Sequence, residues 1–68
     1  MTRNEYNDTV RLHSDGIYRF ILKNVRDSVA AQDIVQDSYE KLWNKRDDVR
    51  AESAKSYLFT IAYNGFID

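Results

Sequence analysis

The residues best equipped for chemistry lie in the run Asp33-Ile34-Val35-Gln36-Asp37-Ser38-Tyr39-Glu40. On a helix, Asp33, Gln36, Asp37 and Glu40 stand at i, i+3, i+4 and i+7, which lines three carboxylates and one amide along one ridge, opposite Ala31, Val35, Ser38 and Leu42. Like charges one turn apart cost an isolated helix roughly a few tenths of a kcal/mol, so such a ridge gains when something basic meets it. Charge pattern alone leaves two readings, an ordinary solvated face or a docking surface for a basic partner.

A second set is aromatic. Tyr57, Phe59, Tyr63 and Phe66 cannot all face one core: Phe59, Tyr63, Phe66 and Ile67 share one side of a helix, and Tyr57, Leu58, Ile61, Ala62 and Gly65 share the other. Beside cations such as Arg50 and Lys55, an aromatic face offers unstacked bases what they need, about 1 to 3 kcal/mol per stack. A helix packed on both sides gives the same pattern, and the two readings stay open here.

Catalysis is excluded. His13 is the one histidine, it falls on or beside an apolar stripe, and spacing sets no serine or carboxylate next to it. There is no cysteine, no Gly-rich phosphate loop and no metal-ligand spacing, so neither a metal nor any other cofactor is expected.

Three helices must position these residues. Thr2-Arg3-Asn4-Glu5 has the form of a capping box, and Tyr6, Val10, Ile17, Phe20 and Ile21 then recur at helical steps to about Val25. Gly16 weakens the middle of that helix by roughly 1 kcal/mol relative to alanine, so a bend or a close neighbour is expected there. Asp27-Ser28 offers two N-cap residues before a second helix whose buried stripe is Ala31, Ile34, Val35, Ser38 and Leu42, joined in some packings by Trp43. Lys41, Lys45 and Arg46 gather at its C-terminal end, where cations suit the helix dipole. Residues 47–52 carry mixed charge and no apolar period, which predicts a loop, and Ser53 then suits the N-cap of a third helix lying between the other two. The fold class is therefore all-α, a compact three-helix bundle.

Composition agrees. Sixty-eight residues with Gly 2, Pro 0 and 43% apolar content make one folding unit, residues 1–68, held by helix packing alone. Ten basic against eleven acidic residues deny the domain-wide positive charge of an autonomous nucleic-acid binder, so any DNA contact has to come from a local patch. No apolar run is long enough for a membrane span or signal peptide, and a chain without cysteine suits a reducing cytoplasm.

The run Ala31-Gln32-Asp33-Ile34-Val35-Gln36-Asp37-Ser38-Tyr39-Glu40-Lys41-Leu42-Trp43, followed by Ser56-Tyr57-Leu58-Phe59-Thr60-Ile61-Ala62-Tyr63-Asn64-Gly65-Phe66-Ile67-Asp68, resembles region 2 of the sigma-70 family of bacterial transcription factors, and most nearly its extracytoplasmic-function (ECF) subgroup. Tyr18-Arg19-Phe20 fits the same layout, and the resemblance covers the chain from about Ile17 onward. It implies a transcription-initiation module that binds core RNA polymerase and helps recognise and melt the promoter minus-ten element. By position, Asp33, Gln36 and Asp37, with Glu40 beside them, would meet the clamp helices of the largest polymerase subunit. Arg50, Lys55, Tyr57 and Asn64 are the matching candidates for promoter DNA. An anti-sigma factor is a further implied partner, and a helical module that binds polymerase or such a factor without promoter function is the alternative. Tyr57 stands where the family usually has Trp, Tyr63 where a basic residue is frequent, and Gln32 where an acid is usual. Because the family pattern continues past Ile-Asp with a basic stretch, the resemblance also implies a chain truncated at its C-terminal end, with its DNA surface cut short.

Overall fold

The computed structural model describes residues 1–67. Three helices, α1 (Arg3–Val25), α2 (Ser28–Asn44) and α3 (Ala54–Ile67), form an all-α bundle, with two 3-10 turns, Arg46–Asp48 and Ala51–Ser53, joining the last two.

α1 starts where the sequence says it should. Thr2 is extended, its hydroxyl accepts from the Glu5 amide at 3.1 Å, and the Glu5 carboxylate accepts from the Thr2 amide at 2.7 Å. That backbone hydrogen bond holds the Glu5 carboxyl below its ordinary pKa. The helix then runs through Gly16 without interruption. It stops at Arg26, which takes a left-handed conformation (φ 62°) and donates its amide to Leu22 O at 2.7 Å. Asp27 caps α2, its carboxylate accepting from the amides of Val29 (3.0 Å) and Ala30 (3.3 Å).

Ile17 and Ile21 from α1, Ala31, Val35 and Leu42 from α2, and Ala54, Leu58 and Ala62 from α3 are buried together. Alanine at three of these positions lets the helix axes approach closely. Two buried hydroxyls sit among them without penalty, because Thr9 Oγ1 donates to Glu5 O (2.8 Å) and Ser38 Oγ to Ile34 O (2.7 Å), each one turn back. Among the described residues, no buried side-chain nitrogen or oxygen lacks a partner.

Three expectations change. Every helix packs against both others, so α3 forms one side of a triangle and does not lie between the other two. The segment read as a loop is two 3-10 turns around an extended Val49, which is buried and anchors the connection to the core. Ser53 lies inside the second turn, whose backbone leads directly into α3, so it does not cap that helix.

Trp43 is half-buried at the foot of the bundle. The Tyr6 ring meets it edge-on (centroids 4.9 Å apart, 63°), the Arg46 guanidinium stacks on it at 3.8 Å, and Arg46 Nη1 donates to Trp43 O at 2.8 Å. Tyr6 Oη donates to Tyr39 O at 3.0 Å, clasping α1 to α2. Burial raises the pKa of both tyrosines, Tyr39 also feeling the charge of Tyr6.

Candidate functional site

α2 separates its two faces cleanly. Ala31, Val35, Ser38 and Leu42 are all buried, and Asp33, Gln36, Asp37 and Glu40 are all exposed on the opposite side. The structure therefore brings the four ridge residues together, over a rise of about 10 Å for seven residues. Val29, one turn before Asp33, is 67% exposed at the head of the same face.

One residue modifies this ridge. Lys41 Nζ lies 3.0 Å from Asp37 Oδ2, with both side chains more than half exposed, an i,i+4 ion pair worth only roughly a few tenths of a kcal/mol. The Asp-x-x-x-Lys spacing is plain in the sequence. What masks it there is the position of Lys41 near the helix end, where a cation is already accounted for by the dipole.

The four DNA candidates do not converge to the same degree. Tyr57 and Asn64, seven residues apart on α3, are within about 20° of each other around the helix axis and share one flank, with Tyr57 half-buried and Asn64 exposed. Lys55 is exposed nine residues before Asn64, about 180° away around the axis. Arg50 stands on the connector, where its guanidinium pairs with Glu52 at 3.4 Å in an exposed contact.

The other aromatics form a chain over α1 and α3. Phe59 lies 5.6 Å from Phe20, Phe20 6.3 Å from Tyr63, and Tyr63 6.0 Å from Phe66 (ring centroids), with Phe20, Phe59 and Phe66 half-buried and Tyr63 44% exposed. Most of this face is consumed in packing, and Tyr63 and Ile67 are what remain outside. Phe20 is the member that sequence spacing could not connect, because it comes from another helix.

His13 is half-buried at an open groove of about 260 Å³ between α1 and the connector, lined also by Glu5, Asp8, Thr9, Leu12 and Ala51. Asp8 is engaged by Arg11 and Glu5 by the Thr2 amide. No cluster of metal-ligating side chains occurs among the described residues, and no described helix is long and apolar enough to cross a membrane.

Three short helices with an acidic ridge exposed along α2 define the class of the molecule, a small all-α bundle. The chain belongs to the Sigma-70 region 2 family, which matches residues 9–68 and so begins eight residues before the point at which motifs first become readable. The family is one of transcription-initiation factors and not of enzymes. Over 58 residues the chain is 28% identical to the ECF RNA polymerase sigma factor SigM of Bacillus subtilis (strain 168), a stretch covering 85% of this chain and 36% of that protein. The chain thus spans about a third of the length of the curated relative it matches. No solved structure matches it.

Proposed function

We propose that this chain is the polymerase-docking and promoter-opening part of an ECF-type sigma factor, with α2 as its docking element. Asp33, Gln36, Asp37 and Glu40 form the contact with the clamp helices of the largest subunit of core RNA polymerase. The observation that carries the reading is that all four project from the face opposite the buried stripe, so a partner reaches them without disturbing the core. Three carboxylates on an exposed edge steer a cationic surface into place and set its register, contributing more to association rate and specificity than to total affinity.

Promoter contacts fall to the connector and α3. Arg50 supplies a cation ahead of the helix, Tyr57 and Asn64 present a ring and an amide on one flank, and Lys55 approaches phosphate from the other. The domain carries a net charge of -1, so its hold on DNA depends on polymerase bringing the two together.

Asp33→Arg together with Asp37→Arg tests the docking assignment. The double variant keeps the helical circular-dichroism spectrum of the parent, since both positions are exposed, and binds core polymerase more than tenfold more weakly in a titration at low salt. Unchanged affinity for core polymerase would remove the ridge from the mechanism.

A further inference from the structure

We propose that Lys41 attenuates the docking ridge from within and so slows association at low salt, an inference that rests on the docking role assigned to α2 above. Lys41 places its ammonium 3.0 Å from the Asp37 carboxylate, one turn along the helix, and follows Glu40 directly in sequence. Asp33, Asp37 and Glu40 supply three negative charges, and Lys41 cancels one of them, leaving two.

The exposure of the pair decides what it does. With both side chains more than half in solvent, the ion pair adds almost nothing to fold stability. Its consequence is for whatever approaches. A stray cation must compete with Lys41 for Asp37 and, near the ridge, is repelled by it, whereas a partner that presents several cations in helical register displaces Lys41 into water at little cost. The residue is thus a repulsive element placed beside the attractive one, and it lowers the attraction that a cationic surface feels before contact forms. The salt-dependent part of association is where this shows, because it is set by charges that interact before contact forms.

The test measures association of the full chain with core RNA polymerase at about 50 mM and about 500 mM salt, where screening lengths differ by roughly threefold. Lys41→Met keeps the length of the side chain and removes its charge. It associates about two- to fivefold faster than the parent at low salt, and the difference closes at high salt. Lys41→Arg behaves as the parent. Combined with Asp37→Asn, which removes the partner carboxylate, Lys41→Met gives a smaller increase than it does alone. Melting temperatures of all four stay within a few degrees of one another, which separates an electrostatic role from a structural one. If Lys41→Met associates no faster than the parent while Asp33→Arg with Asp37→Arg still abolishes tight binding, the attenuator is wrong and the docking ridge stands. If that double variant also binds normally, the docking reading falls and the attenuator falls with it.

Discussion

Replacing Gly16 by alanine tests the packing of α1 at its weakest residue. Glycine in a helix interior costs roughly 0.5 to 1 kcal/mol relative to alanine, because the unfolded chain has more backbone freedom to lose. Whether the substitution recovers that energy depends on the space around the new methyl group. A Cβ at Gly16 would find, outside the helix's own backbone, Phe59 Cζ as its nearest neighbour at 3.9 Å, an ordinary van der Waals distance, and the position is otherwise exposed. No clash therefore subtracts from the gain, and a slight contact with the Phe59 ring adds to it. An unfolding entropy of about 2.1 cal/mol/K per residue gives about 140 cal/mol/K for 68 residues, so 0.5 to 1 kcal/mol raises the melting temperature by about 3 to 7 °C. Thermal unfolding followed by circular dichroism at 222 nm reads this directly. A melting temperature below that of the parent would refute the combination of an uninterrupted α1 and open space at Gly16. Gly65 is the comparison site: its Cβ would lie 3.5 Å from Ile34 Cγ2, still an ordinary contact but on a packed face, so alanine there should raise the melting temperature less.

Arg26→Gly should stabilise the domain by about 0.5 to 1 kcal/mol, since Arg26 holds a left-handed conformation in which a side chain is strained and glycine is not; chemical denaturation with an unchanged m-value and no gain in midpoint would contradict the cap geometry. Tyr6→Phe removes the hydroxyl that donates to Tyr39 O and should lower stability by about 1 kcal/mol at neutral pH. The same variant should soften the alkaline limb. Burial raises the folded pKa of Tyr6 and Tyr39, so their contribution is complete below the ordinary tyrosine value near 10 and is lost as pH rises through the folded value. Denaturation midpoints collected from pH 8 to 11 should therefore fall less steeply in Tyr6→Phe than in the parent, and equal slopes would show that Tyr6 does not titrate in the clasp.

What was legible in the sequence follows from what repeats. The α2 ridge was readable because its four residues and its buried stripe obey one 3.6-residue period on opposite sides of the same cylinder; the structure exposes the ridge and buries Ala31, Val35, Ser38 and Leu42, with Ile34 of the expected stripe only half-buried. The start of α1 was readable because a capping box is a local event within four residues. Val49 was not readable: one valine among charges has no period, and its burial comes only from packing with core residues far from it in the chain. Ser53 failed for a related reason, since a serine ahead of an apolar run signals a cap only if the chain arrives extended, and here it arrives already turning. Phe20 joined the aromatic chain from another helix, a contact that no spacing along α3 can express.

The same division explains why the two proposed surfaces differ in definition. The polymerase ridge lies on one helix, so helical periodicity alone brings its members together and keeps them together whatever the connector does. The DNA candidates are split between a connector and two flanks of α3, with Arg50 held by Glu52 and Lys55 turned about half a revolution from Asn64. Their relative placement depends on how the connector is seated: by Val49 in the core, by the Met1 ammonium donating to Arg46 O and Val49 O, and by Arg46 on Trp43. A surface built that way rests on contacts between residues far apart in the chain and not on one helical period. In the proposed reading, docking rests on one helical period and DNA contact on the tertiary seating of the connector, a difference that follows from where the period holds and where it breaks.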